Sequence, residues 1–192
     1  MQSIQTVSEN TIYVGASDRR LAKFENLFPI PRGVSYNAYV ILDEKTALLD
    51  TADASVGAQF LENVAAALDG RKLDYLIVDH MEPDHAAMIE AVLVRWPDLR
   101  LVVNAKTLPM LKMYFPTDNA AIDDALVVKE GDTLDLGKHK LTFVMAPMVH
   151  WPEVMMTFDT TTGTLFSADA FGTFGALEGA LFADEVDFAG KW

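Results

Sequence analysis

The sequence contains no cysteine, so disulfide frameworks, thiolate zinc sites and cysteine-bound iron–sulfur clusters lie outside the chemistry this chain can carry by itself. Any metal held here is held by nitrogen and oxygen. Positive charge is scarce as well: 15 lysines and arginines stand against 28 aspartates and glutamates. The resulting net charge of −13 repels nucleic-acid backbones and anionic lipid surfaces, which argues against both as partners. No apolar run is long enough to span a bilayer, and the opening MQSIQTVSEN has no basic region leading into an apolar stretch. These absences predict a soluble, cytoplasmic chain.

Hydrophobic residues are plentiful, at 51% of 192, enough for one domain with a substantial core. GVSYNAYVIL (residues 33–42) and TALLD (46–50) are rich in β-branched and apolar residues and are separated by the turn DEK, as in a hairpin. From Ala54 the apolar residues recur at helical spacing, with Val56, Phe60, Leu61, Val64 and Leu68 on one face and Gly70 ending the run. LDYLIVD (73–79) predicts a strand and AAMIEAVLVRW (86–96) a helix stopped by Pro97. LRLVVNA and KTLPMLKMYF repeat the alternation. After about Asn119 strands dominate, in ALVVKEGDTLDLGKHKLTFVMAP and VMMTFDTTTGTLFSAD, with DTTTG as a hairpin loop. Helices interleaved with strands first, then mostly strands, predict two sheets packed face to face with helices outside.

Between the strand at 73–79 and the helix at 86–96 lies HMEPDH, His80 to His85, with two of the four histidines. Each residue has an ordinary explanation: Asp84 as a helix N-cap, Pro83 as a helix-start residue, Glu82 as a solvated loop carboxylate. Together they point elsewhere. Pro83 biases Glu82 toward extended backbone, so His80 and Glu82, two apart, project to the same side. Asp84 and His85 emerge after the chain has bent and are placed to reach a neighbouring ion. His150, in APMVHWPE, and Asp169, in LFSADAFG, each follow an apolar strand. His139, in GKHK, reads as a solvated residue beside a turn. Three imidazoles and three carboxylates without sulfur suit Fe, Mn or Zn, and Asp169 is the candidate bridge between two ions.

The order His-x-Glu-x-Asp-His, a distant His before Trp-Pro, and an Asp in SADAFG resembles the metallo-β-lactamase-like diiron domain of the flavodiiron proteins, or A-type flavoproteins. The likeness runs over essentially the whole chain, including SYNAYVI, LLDT and GTFGALEGALFADEVDF. It implies an α+β fold, the αββα sandwich of that superfamily, with residues 1–192 forming a partial diiron domain that is incomplete at its C-terminal end. By motif, His80, Glu82 and His150 would bind one iron and Asp84 and His85 the other, with Asp169 bridging. Asp50, in LLDT, matches an acidic position that supports the ligand loops; an ordinary strand-end aspartate is an equal reading.

The family reduces O2 to water or NO to N2O, so the resemblance implies a diiron oxidoreductase domain. Its electrons would come from FMN in a flavodoxin-like domain or from a rubredoxin-like donor. No phosphate-cradling loop of the flavodoxin kind is visible, so FMN is not expected on this chain. The family has a further histidine downstream of Trp192, which implies a weakly held second iron. It also implies an exposed apolar sheet surface, covered in a homodimer or by a completing chain. Two other functions compete. A two-zinc hydrolase of the superfamily would carry imidazole where Glu82 stands, and a fragment lacking the last histidine would be inactive until a partner segment restores it. Phe24, Phe28, Tyr36 and Trp151 are candidates to line a pocket, with a core role the ordinary reading for each.

Overall fold

The computed structural model describes residues 3–116 and 120–185. The Asn119 boundary and the last residues of GTFGALEGALFADEVDF lie outside them. The chain forms β1 (Gln5–Ser8), β2 (Thr11–Tyr13), β3 (Ala16–Asp18), β4 (Lys23–Phe24), β5 (Phe28–Pro29), β6 (Val34–Tyr36), β7 (Tyr39–Leu42) and β8 (Thr46–Leu49). Then come α1 (Gly57–Leu68), β9 (Tyr75–Ile77), α2 (Pro83–Ala86), α3 (Ile89–Arg95), β10 (Arg100–Asn104), α4 (Thr107–Tyr114) and α5 (Ala120–Asp123). The strands β11 (Leu126–Val128), β12 (Thr133–Asp135), β13 (Lys140–Met145), β14 (Met155–Asp159) and β15 (Thr164–Phe166) complete the order. Two compact units result, Met1–Ala16 with Tyr36–Gly172, and Ser17–Ser35 with Thr173–Trp192.

The larger unit holds a seven-stranded sheet ordered β1-β2-β7-β8-β9-β10-β11 and a four-stranded sheet ordered β12-β13-β14-β15. Strands β8 to β11 run parallel, so their C-terminal ends meet along one edge, where parallel sheets deliver functional side chains. All four residues of β8 are buried, as expected of a central strand covered on both faces. The period of two sorts the side chains. Ile41, Ala47, Leu49, Ile77, Val102 and Val128 turn to one face and share a buried cluster with Leu134, Leu141, Phe143, Met155 and Phe166 of the four-stranded sheet. On the other face α1 lies against β7, and α4 and α5 against β10, covering the buried Val40, Leu48, Leu76 and Leu101. The architecture is α+β, with two sheets face to face and helices outside, as the sequence predicts.

On the outer face of the four-stranded sheet, Val144 and Leu165 stay exposed and Met156 and Phe158 half-exposed. The helix read at 86–96 differs. It is a single turn, α2, followed by α3 from Ile89. Thr51 sits at the break: its hydroxyl donates to the His85 carbonyl at 2.6 Å and accepts the Met88 amide at 3.3 Å. GVSYNAYVIL is likewise two strands, because β6 pairs with β3 while β7 pairs with β2 and β8.

In the smaller unit β4 and β5 pair as a hairpin, and the Phe24 and Phe28 rings pack on Phe174 at centroid distances of 5.1 and 6.3 Å. Phe28 remains 55% exposed, so it is not the core residue the sequence suggested; a two-strand hairpin has too little mass to enclose it. Tyr36 is buried core in the larger unit.

His139 also departs from expectation. It is fully buried, because it shares the inward parity of Leu141 and Phe143. Its backbone amide donates to Asp43 Oδ2 at 2.6 Å and its Nδ1 meets Asp159 Oδ2 at 2.8 Å. Asp159 also accepts the Thr162 hydroxyl at 2.6 Å and the Thr161 amide at 3.0 Å. Burial opposes the charge on Asp159, but the bonds to Thr162, His139 and Thr161 outweigh it and lower the carboxyl below its usual range. The folded pKa lies below the unfolded one, so this stabilisation is complete above the ordinary carboxylate range and is lost as pH falls through the folded value. Breaking a buried pair from one side is costly, so His139→Ala should lose roughly 3 kcal/mol of unfolding free energy at neutral pH. Asp159→Asn should flatten the acid limb of a denaturation-against-pH series; an unchanged limb would show that this pair does not stabilise the fold.

Candidate metal centre

Four chain segments of the larger unit deliver the polar residues. Asp50 follows β8, His80 to His85 follow β9, His150 lies between β13 and β14, and Asp169 follows β15. Sheet geometry brings the first two together, since the β8 and β9 ends are parallel neighbours. The second sheet is fastened to the same place: the Met155 amide donates to the Asp79 carbonyl at 3.0 Å, and the Thr157 hydroxyl to Asp79 Oδ1 at 2.8 Å. Backbone in sparsely populated conformations marks the delivery points, with φ of 53° at Asp50 and 47° at Ala168, the residue before Asp169. Pro83 occupies the first helical position of α2 and Glu82 its N-cap position. Asp84 is therefore not the cap, and its side chain is available to the site.

All six predicted residues converge. His80, Glu82, His150 and Asp169 offer ligand atoms within 4.8 Å of one another, and Asp84, His85 and Asp169 form a second such group. His80 Nε2 lies 3.2 Å from Glu82 Oε2 and 3.3 Å from Asp169 Oδ2. His150 Nε2 lies 2.7 Å from Glu82 Oε2 and 3.2 Å from Asp169 Oδ2. The other oxygen of Asp169, Oδ1, meets His85 Nε2 at 2.8 Å. Asp169 thus faces one group with each oxygen. His80, Glu82 and His85 are buried, whereas the His150 side chain is 55% exposed, so one side of the cluster is open.

Each buried imidazole has its second nitrogen on a carboxylate. His80 Nδ1 meets Glu153 Oε1 at 2.8 Å and His85 Nδ1 meets Asp50 Oδ2 at 3.0 Å. Asp50 Oδ1 in turn accepts the Asp79 amide at 2.7 Å, so Asp50 touches both the His85 ring and the start of the HMEPDH loop. Burial opposes the charged form of His80, yet bonds to Asp169, Glu153 and Glu82 push its pKa up to about 11. His85 is raised in the same way, against burial, by Asp169 and Asp50. Burial opposes ionisation of Glu82 and Asp169 too, but the imidazoles hold both below the ordinary carboxylate range. Asp84 is different: burial, with repulsion from Asp169 and Glu82, raises it to about 6 against the pull of His85.

The residues present fit a pair of metal ions. Two ligand atoms about 2.1 Å from one ion stand roughly 3.0–3.4 Å apart at tetrahedral or octahedral angles, and three of the four contacts in the first group, 3.2, 3.3 and 3.2 Å, fall there. Asp84 Oδ1 is buried without a hydrogen-bond partner, a costly state for a carboxylate oxygen that an ion at the second group removes. Nitrogen and oxygen donors without sulfur suit iron, manganese or zinc.

Sequence reasoning missed Glu153 and Asn104. Glu153 is fully buried, and the Asn104 side-chain amide donates to its carbonyl while Asn104 Oδ1 accepts the Thr107 amide at 3.1 Å. A carboxylate three residues after His150 and an asparagine at the end of β10 were the available signals. Trp151 meets the His80 ring edge-on at a centroid distance of 5.4 Å, so it packs against the centre.

Residues 34–190 match the model of the ODP family β-lactamase. The rubredoxin oxygen:oxidoreductase of the anaerobe Desulfovibrio gigas superposes with a TM-score of 0.91 at 30% identity, over 97% of this chain and 46% of that one. The flavodiiron protein of Giardia intestinalis does so with a TM-score of 0.89 at 27% identity, over 98% and 45%. An anaerobic nitric oxide reductase flavorubredoxin from Klebsiella pneumoniae subsp. pneumoniae is 38% identical over 185 residues, 94% of this chain. The chain spans 37% of the length of that relative. The fold is thus metallo-β-lactamase-like. The chain belongs to the ODP family, the β-lactamase-like domain found in flavodiiron proteins.

Because Asp169 belongs to both groups and His150 to one, Zn2+ titration of the full chain with a competing chelator should separate them. Asp169→Ala should weaken both binding steps, and His150→Ala only one, each by more than the roughly 10–100-fold that loss of an outer partner costs. Two intact steps in Asp169→Ala would remove it as the shared residue.

Proposed function

We propose that this chain is the diiron reductase domain of a flavodiiron-type system, working in the cytoplasm on NO or O2 with electrons from an external flavin or rubredoxin-like donor. The observation that carries the reading is the convergence of two ligand groups on the two oxygens of Asp169. Bound there, a pair of irons would supply one-electron redox steps and open positions for diatomic molecules. The names of the relatives, a nitric oxide reductase and an oxygen:oxidoreductase, support the same class.

The work of the chain itself is positional and electrostatic. His80, Glu82 and His150 would hold one ion and Asp84 and His85 the other, with Asp169 between them. Glu82 adds a hard, negative donor where the hydrolases of the superfamily are expected to carry imidazole, and such a donor favours the higher oxidation state of iron. Asp50 keeps Nε2 of His85 turned to the site by holding its Nδ1 at 3.0 Å. The exposed face of His150 leaves an approach for a small substrate and for a donor, including one supplied by a second copy or a completing chain. The hydrolase reading is not favoured, because the relatives are named as reductases and Glu82 stands in the ligand set.

Anaerobic purification followed by iron and zinc analysis is the direct check, with about two irons per chain expected for a dinuclear site and NO or O2 consumption on adding reduced flavin. Glu82→His should shift the retained metal from iron toward zinc. Zinc in the unaltered chain, or full iron occupancy with neither gas consumed, would overturn the assignment; activity appearing only with a partner segment would place the competent unit in an assembly.

A further inference from the structure

Glu153 ties together the two halves of the first ligand group without itself belonging to it. Its Oε1 holds His80 Nδ1 at 2.8 Å and accepts the Met81 amide at 3.0 Å, so it grips both the ring and the loop that carries it. Its own backbone is three residues from His150. That loop is anchored in turn to β10: the Asn104 side-chain amide donates to the Glu153 carbonyl, and Lys106 Nζ donates to the Pro152 carbonyl at 3.0 Å. Through one residue the positions of His80 and His150 become interdependent.

The use of its oxygens separates Glu153 from Asp50. Asp50 spreads its charge over the Asp79 amide on Oδ1 and the His85 ring on Oδ2. Glu153 places both of its bonds on Oε1, and Oε2 is buried with no hydrogen-bond partner. A carboxylate kept only to stitch the fold would be expected to use both oxygens on donors. Its Oε1 is thus shared between the His80 ring and the Met81 amide of the same loop. A carboxylate accepting from Nδ1–H makes Nε2 the metal-facing nitrogen and raises its basicity.

Resting on the metal-centre reading above, we propose that Glu153 is a positioning residue of the centre. It sets the orientation and donor strength of His80 toward the ion shared with Glu82 and His150, and it keeps the His150 loop in register with it.

The test uses the full chain, with Zn2+ as the probe in competition with a chromophoric chelator, alongside melting temperatures of the metal-free proteins. Glu153→Gln keeps an acceptor for Nδ1–H without the charge; Glu153→Leu removes both. The expected order of affinity is wild type, then Glu153→Gln, then Glu153→Leu, with the last roughly 10–100-fold weaker than wild type and the Gln variant recovering most of the loss at an unchanged melting temperature. Equal affinities for wild type and Glu153→Gln, or for the two variants, would overturn the proposal, as would a wild type without Zn2+ affinity. If Glu153→Leu does not fold, the comparison of wild type with Glu153→Gln decides alone. The affinity order with no NO or O2 reduction by the iron-loaded chain would refute the reductase reading only; reduction without the affinity order would refute the role of Glu153 only.

Discussion

Too many carboxylates share one desolvated place for this structure to stand without compensating positive charge. Glu82, Asp84, Asp169, Asp50, Asp79 and Glu153 lie around two buried imidazoles, and burial disfavours the charge on Glu82, Asp84, Asp169, Asp79 and Glu153. The imidazoles supply part of the compensation: contacts with the surrounding carboxylates push the pKa of His80 and His85 up, and burial beside Asp50 raises that of Asp79. The same carboxylates that favour charge on the rings would favour a metal cation between them. Metal binding at the two groups would supply that positive charge.

The remainder of the larger unit supplies that arrangement at fixed distances. The parallel strands β8, β9 and β10 end side by side, and the loops leaving them carry Asp50, His80 to His85 and Asn104. The four-stranded sheet contributes His150 and Asp169 from its own loops, and reaches the first sheet through a shared apolar interior and through Asp79, which binds Met155 and Thr157. Apolar packing brings the sheets together without specifying a register. The directional bonds at Asp79 set it where the ligands need it.

Much of this was legible before any coordinates. HMEPDH between a compact apolar strand and a helix, with His150 and Asp169 after later strands, names every residue of the two converging groups, because clustered polar residues at strand ends leave short, unusual strings. The two-sheet core was legible for a similar reason: alternation in residues 126–166 is strong and the turns are marked by glycine and aspartate. What escaped the reading depends on contacts between residues far apart in sequence. Glu153 and His80 are separated by 73 positions, and nothing local to either predicts the pairing. His139 looks solvated in GKHK, and only its parity with Leu141 and Phe143, together with Asp159 20 residues on, shows why it is buried. The interruption of the 86–96 helix follows from Thr51, which no window around Met88 contains.

The placement of Asp169 after the last strand of the second sheet also orders events in time. Both ligand groups need this one residue, and the strand that delivers it, β15, is the last of the larger unit to be made. A ribosome-bound chain that has extruded the whole first sheet and HMEPDH still has no site of full coordination. Neither ligand group closes until β15 has paired with β14 and the two sheets have met. Metal bound through Asp169 would therefore come late in assembly, and a chain whose sheets dock wrongly would lack the stability that binding lends. In such a centre the shared carboxylate would tie metal loading to the pairing of the two sheets.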